Sequence, residues 1–248
     1  MPDKLFATQA AQYSFPYHYI PTVTETDLIS NYRLLKWGID YLTYMGFIKD
    51  LLINDVQPAS LLDVGCGDGR LINMMDGKIP HLVGVDLVES AILFARAFNP
   101  GAAFYWGDVS EVSGKFQVVT LIEVMEHIPD ADYPSFINKV ATKLEAGGKL
   151  IVSVPTTNLP LHHKHHRQYD LTLLEKHLSS AFMIESYWFV TKLGRLYDML
   201  NLMLHNRLFI VQLGPWRRMI WHLHKRFCYR ADQTNGAHLV AIARLLNV

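Results

Sequence analysis

The densest concentration of chemistry in the chain is Glu123-Val124-Met125-Glu126-His127. Two carboxylates and an imidazole make a hard, mixed oxygen–nitrogen set, suited to magnesium or manganese and able to hold iron or zinc. Glu123 and Glu126 stand three apart, so one helical turn faces them the same way, and His127 converges with them in a tight turn. Without a metal, His127 is a candidate acid or base; in the plainest case all three are structural. A second cluster is the stretch His162-His163-Lys164-His165-His166. By default it is a solvated basic loop, but it can add a further ligand. Asp63, Asp86 and Asp108 form a third set, each at or just past the carboxyl end of an apolar run. Any one of them can be a helix cap; three at this spacing point to a ligand.

The elements that must hold these groups begin with Leu61-Leu62-Asp63-Val64, then the turn Gly65-Cys66-Gly67-Asp68-Gly69, then the apolar run 71–75. This is the strand–turn–helix that opens a nucleotide-binding α/β domain. A dinucleotide fingerprint spaces its glycines G-x-G-x-x-G to seat a pyrophosphate on the helix N-terminus. Here the spacing is G-x-G-x-G, with the Asp63 carboxylate two residues before Gly65. That charge repels a pyrophosphate and suits an ammonium group. Asp86 lies 21 residues after Gly65, where an acid accepts hydrogen bonds from ribose hydroxyls.

Strands are expected at 61–64, 81–86, 103–106, 116–122 and 149–154, with helices at 89–98 and 133–144. Such alternation predicts a parallel sheet. Gly147-Gly148 reads as the left-handed cap of the second helix, and Asp170 as the N-cap of a helix over 171–178. Further strands are expected at 183–190 and 237–244. About forty residues separate them, with helical spacing over 196–203 and 219–227 divided by Gly214-Pro215. Upstream, apolar positions from Leu28 to Leu52 predict one or two helices broken near Gly46.

The acid with G-x-G-x-G, the strand-end acids and Gly147-Gly148-x-Leu150-x-x-x-x-Pro155 together resemble the class I S-adenosylmethionine-dependent methyltransferases. The resemblance covers about residues 55–190 and the final strand. It implies a Rossmann-like, seven-stranded, mostly parallel sheet with helices on both faces, an N-terminal extension, and a helical insertion before the last strand. The implied donor site is Asp63, Gly65 and Gly67, with Asp86 and Leu87 at the ribose, Asp108 and the Val109 amide at the adenine, and Glu123 near the methionyl end. E-x-x-E-H with a distant His is similar to two groups within the family. One methylates the 2′-hydroxyl at the 3′ end of small RNAs, with a metal on two Glu and two His. The other methylates phenolic hydroxyls in ubiquinone synthesis. The resemblance implies catalytic roles for Glu126, His127 and His165, and Mg²⁺ or Mn²⁺ on Glu123, Glu126, His127 and His165. His165 best matches the RNA group's second histidine, and His163 or His166 can serve instead. A related segment occurs in family members without a metal, where the His lies near the acceptor.

Domain boundaries are expected at 1–54 (aromatic strap and helices), 55–190 (core), 191–233 (helical insertion) and 234–248 (final strand). The strap, residues 11–21, holds four aromatic rings from Tyr13 to Tyr19 and reads either as a cover of the core or as a lid. Net formal charge is zero, which gives no overall bias toward nucleic acid. The halves differ: residues 1–159 hold 11 Lys+Arg against 18 Asp+Glu, whereas 160–230 hold 11 against 4. An acidic donor half and a basic, apolar acceptor half are therefore expected. For the insertion three readings stand: a cap over the acceptor pocket, a surface for lipid-linked or membrane-bound substrate, and a polyanion face. Two cysteines make neither a disulfide framework nor a zinc signature. With no apolar run of signal-peptide or spanning length, the expected location is cytoplasmic, with residues 191–230 as a peripheral contact to the inner face of a membrane. The expected reaction is methyl transfer to a hydroxyl of a small molecule, sugar or lipid-linked intermediate. An RNA 2′-O-methyltransferase and an inactive donor-binding scaffold are the alternatives.

Overall fold

The computed structural model describes residues 22–23, 29–30, 35–204, 211 and 213–246. The aromatic strap at 11–21 lies outside the described residues. Helix α1 (Leu35–Asp50) leads into the first long strand through a wider-wound turn over Leu51–Val56. Beyond a short antiparallel pair, β1 (Thr22–Val23) with β2 (Ile29–Ser30), the other strands among the described residues form one sheet. They are β3 (Ser60–Val64), β4 (His81–Asp86), β5 (Ala103–Trp106), β6 (Phe116–Ile122), β7 (Leu144–Pro155), β8 (Phe182–Lys192), β9 (Arg230–Ala231) and β10 (Gly236–Leu245). Their order is β5-β4-β3-β6-β7-β10-β8-β9. The first five are mutually parallel. β10 runs antiparallel between β7 and β8.

The central strands are apolar without alternation because both faces are covered. Within β3, Leu61 packs into the core beneath α1, α2 (Arg70–Met75) and α3 (Glu89–Phe98). Leu62 and Val64 face the other core, closed by α4 (Tyr133–Thr142) and α5 (Leu171–Leu178). Asp170 caps α5 as expected, its Oδ1 accepting the Leu173 N–H at 2.7 Å. A third, smaller core joins Ile39 and Leu42 of α1 to Tyr197, Leu200, Ile220 and Trp221 of α6 (Arg195–Leu204) and α7 (Gly214–Phe227). The insertion thus docks on α1.

Four expectations are corrected. The sheet has eight strands, not seven: β9 adds two residues along β8, too short to show any period in sequence. α1 does not break at Gly46, where the missing side chain admits the Tyr229 hydroxyl; a Cβ there would sit 3.2 Å from it. Gly147 is left-handed at φ 76° but does not cap α4, which ends at Thr142. It lies in a bulge of β7, whose pairing with β6 jumps from Phe116–Leu144 to Val118–Lys149. Gly214-Pro215 opens α7 instead of separating two helices, since proline fits the first turn, where no intrahelical N–H bond is lost. Among the described residues no helix is long and apolar enough to cross a membrane. Cys66 and Cys228 are free and buried.

His224 sits in the third core, fully buried and stacked on Trp221. Thr43 gives its own hydroxyl proton to the Ile39 carbonyl at 2.7 Å, so His224 Nε2–H donates to Thr43 Oγ1 at 2.8 Å. Nδ1 has no hydrogen-bond partner. Burial pushes the imidazole down to about 4. Between pH 6.5 and 4 the unfolded chain binds a proton here that the folded chain does not, so the contribution is present above 6.5 and lost as pH falls through 4. Over that interval wild type is expected to lose on the order of 3 kcal/mol relative to His224→Phe. Urea midpoints measured across the range check it, and parallel profiles for the two proteins would refute it.

Candidate functional site

A cavity of about 600 Å³ opens at the carboxyl ends of β3, β4, β5 and β6. Its wall includes Asp63, Gly65, Gly67, Asp86, Leu87, Asp108, Val109, Glu123 and His127. Doubly wound sheets bind ligands in this place because the crossovers diverge there.

The floor is the glycine turn. Gly65 N–H and Cys66 N–H both bond the Val85 carbonyl, at 2.8 and 3.1 Å. Asp86 Oδ2 accepts the Gly67 N–H at 2.9 Å, and Oδ1 accepts the Val88 N–H at 2.8 Å. Gly65 is left-handed at φ 74°, and a Cβ on it would lie 2.5 Å from Val124 Cγ2. Asp63 is buried, with Oδ1 accepting the Thr120 hydroxyl at 2.6 Å. Burial pushes it up to about 7 against the lowering effect of that bond. Asp108 is more exposed and caps a short 3₁₀ turn over Val109–Glu111. Lys139 Nζ donates to its Oδ2 at 3.0 Å. Burial raises its pKa a little, and the bonds from Ser110 and Lys139 more than offset this, holding the carboxyl below its usual range.

Glu126, His127 and His165 come together, each offering a ligand atom within 4.8 Å of the others. Glu123 lies outside that group: its Oε1 accepts from the Ser153 hydroxyl at 2.6 Å and pairs with His238 Nδ1 at 3.2 Å. Glu126 and His165 are not on the cavity wall. Glu126 is fully buried, and neither carboxylate oxygen has a hydrogen-bond partner. Burial, reinforced by the Glu123 charge, holds its pKa well above the usual range. His127 Nδ1–H donates to the Lys164 carbonyl at 3.0 Å, so the Nε2 lone pair is free and lies 3.8 Å from Glu126 Oε1. Burial lowers the His127 pKa. It also lowers that of His165, to about 4, with His127 adding to the effect.

The histidine loop is fastened to the 123–130 turn by His166 N–H on the Glu126 carbonyl at 2.9 Å and by Arg167 Nη1 on Ile128 O at 2.7 Å. Of its four histidines, His165 is the half-buried one and packs edge-on to His127 with centroids 4.8 Å apart. His162, His163 and His166 are exposed.

Tyr41, Tyr44 and Met45 of α1 also line the cavity, and sequence reasoning missed them. The available signal was two polar-tipped aromatics three apart, off the apolar stripe of that helix. His238 was also missed: it packs against Tyr44 at 4.5 Å and lies within the otherwise apolar buried run 237–243 of β10. No described residue of α6 or α7 lines the cavity.

A family model described as a methyltransferase domain matches residues 38–195. The ubiquinone biosynthesis O-methyltransferase of Idiomarina loihiensis is 34% identical over 124 residues, 46% of this chain and 49% of that protein. The trans-aconitate 2-methyltransferase of Deinococcus radiodurans is 29% identical over 127 residues, 50% of this chain and 47% of that one. The chain spans about half the length of the curated relatives it matches. Among solved structures, the N-methyltransferase NodS of Bradyrhizobium japonicum WM9, in complex with S-adenosyl-L-homocysteine, aligns over 99% of this chain and 100% of its own, with TM-score 0.63 and 13% identity. An S-adenosylmethionine-dependent methyltransferase of Clostridium acetobutylicum aligns over 87% and 96%, with TM-score 0.59 and 14% identity.

Gly65→Ala is expected to destabilise by about 1–3 kcal/mol, from the left-handed backbone and the collision with Val124. Gly77, also left-handed but with open space around it, isolates the backbone part of that cost. Equal midpoint shifts for Gly65→Ala and Gly77→Ala in urea unfolding would show that the Val124 contact does not matter.

Proposed function

The chain belongs to the class I S-adenosylmethionine-dependent methyltransferases, and we propose that it methylates a hydroxyl oxygen of a small molecule, sugar or lipid-linked intermediate. The observation that carries this reading is His127: a neutral imidazole on the cavity wall with its Nε2 lone pair free, backed by a buried carboxyl without partners. An alcohol is a poor nucleophile until its proton is taken. The O-methyltransferase named among the relatives, 34% identical over its matched part, agrees in reaction class.

The wall fits the donor. Both Asp86 oxygens already accept one backbone N–H, and each keeps a lone pair for a ribose hydroxyl. Asp63, Gly65 and Gly67 border the methionyl side in this reading, with Glu123 beside them, and Leu87, Asp108 and Val109 the adenosyl side. When bound, the donor supplies a methyl group on a sulfonium, already activated for in-line displacement. The protein's part is to align the acceptor oxygen and to receive its proton. His127 Nε2 takes the proton; the Lys164 carbonyl holds the ring by Nδ1 and stabilises the imidazolium that forms.

Glu126, His127 and His165 also fit a divalent cation. A buried carboxyl with two unbonded oxygens beside two neutral imidazoles is a donor set lacking a partner. Mg²⁺ or Mn²⁺ held there, with His127 Nε2 as a ligand, would lower the pKa of an acceptor hydroxyl and so replace proton capture by His127.

Two measurements test these readings. Calorimetry with S-adenosylhomocysteine is expected to show Asp86→Ala binding about tenfold or more weakly, for loss of charged hydrogen bonds; equal affinity would sink the ribose assignment. Methyl transfer is to be followed with hydroxylated small molecules, amines and short RNAs, with and without chelator. Hydroxylated small molecules are expected to be labelled, and chelator and Glu126→Ala each to depress the rate about tenfold or more. Labelled amines alone would overturn O-methylation, labelled RNA alone would move the acceptor to nucleic acid, and turnover indifferent to chelator and to Glu126→Ala would remove the cation.

A further inference from the structure

We propose that His238 is a positioning residue for the methyl donor, acting through Glu123. The inference rests on the donor placement proposed above and not on the identity of the acceptor.

Two irregularities meet at this pair. β10 is otherwise apolar where it is buried: Ala237, Leu239, Val240, Ala241, Ile242 and Ala243 are all in the core. One imidazole in that run, 6% exposed, needs a polar partner to offset its burial. Its partner is Glu123, one of three non-glycine residues with positive φ among the described residues, at 54°. A glutamate in the left-handed region is held there by its surroundings. The Glu123 N–H bonds the Ser153 carbonyl at 2.9 Å, and the Ser153 hydroxyl and His238 Nδ1 converge on Oε1 at 2.6 and 3.2 Å.

Both contacts fall on the same oxygen, which leaves Oε2 for a ligand in the cavity that Glu123 lines. His238 itself is not on the wall. It reaches the ligand only through the carboxylate it orients and through Tyr44, against which it packs and which does line the cavity. Because β10 lies between β7 and β8, its register sets the height of the imidazole relative to Glu123, which follows β6 on the far side of β7. A carboxylate on the cavity wall suits the cationic, methionyl end of the donor. It does nothing for the adenosyl end, which lies at Asp86 and Asp108 in the proposed placement. This difference separates positioning from mere filling of the core.

The experiment compares Kd values for S-adenosylhomocysteine and for adenosine, which lacks the amino-acid end, by calorimetry on the full chain. His238→Leu is expected to weaken S-adenosylhomocysteine about tenfold or more and adenosine less than about twofold. His238→Asn, whose amide offers an N–H near the Nδ1 position, is expected to recover most of the loss. Unchanged S-adenosylhomocysteine affinity in His238→Leu, equal weakening of both ligands, or no recovery in His238→Asn overturns the proposal. Should His238→Leu not fold, Ser153→Ala removes the other bond to the same oxygen and must show the same selective loss. Glu123→Gln separates the two levels. If it leaves affinity intact, the donor placement itself falls; if it weakens S-adenosylhomocysteine selectively while His238→Leu does not, only the role of His238 falls.

Discussion

Asp86 takes the Gly67 N–H on one carboxylate oxygen and the Val88 N–H on the other. The glycine turn that follows β3 is thereby fastened across to the end of β4 and to the start of α3. Val85 adds its carbonyl, which receives both Gly65 and Cys66. A turn of three left-handed glycines has little intrinsic preference for one shape. These backbone bonds give it one, and with it the floor of the cavity. Parallel pairing of β3 with β4 and β6 then brings the acids to the same edge of the sheet, Asp63 level with Gly84 and Thr120 and Asp86 two residues further along.

Burial acts on all the carboxyls of the site, and partners decide where each ends up. Asp63 has one hydroxyl donor and stays raised. Glu126 has no hydrogen-bond partner, feels the charge of Glu123, and is held well above its ordinary range. For Glu123 burial again raises the pKa, but His238 and Ser153 outweigh it and hold the carboxyl below its ordinary range. Two carboxyls three residues apart, one held below its ordinary range and one held well above it, favour a cation at the first and a proton at the second.

The insertion works at a distance from the cavity. Its helices pack on Ile39 and Leu42 of α1, and Tyr197 donates to Asp40 at 2.8 Å. The same helix turns Tyr41, Tyr44 and Met45 to the cavity. Among the described residues α1 is therefore the element between the insertion and the ligand wall.

Much of the fold was legible in the chain because the evidence is local. The apolar runs ending in Asp63 and Asp86, the glycine spacing and the cap at Asp170 each depend on neighbours within a few residues, and those elements fall where expected. Short-range rules failed where a distant group changed the outcome: Tyr229 fills the space Gly46 leaves, a bulge against Gln117 uses Gly147, and β9 exists only because the edge of β8 is there to pair with. The site divides in the same way. Residue types and spacing, together with the family resemblance, picked out residues that line the cavity and the E-x-x-E-H group. The tertiary structure chose His165 from four histidines, turned Glu123 away from Glu126 toward His238, and brought Tyr41 and Tyr44 to the cavity, because which side chains meet across strands 100 residues apart depends on register and packing that no local pattern encodes.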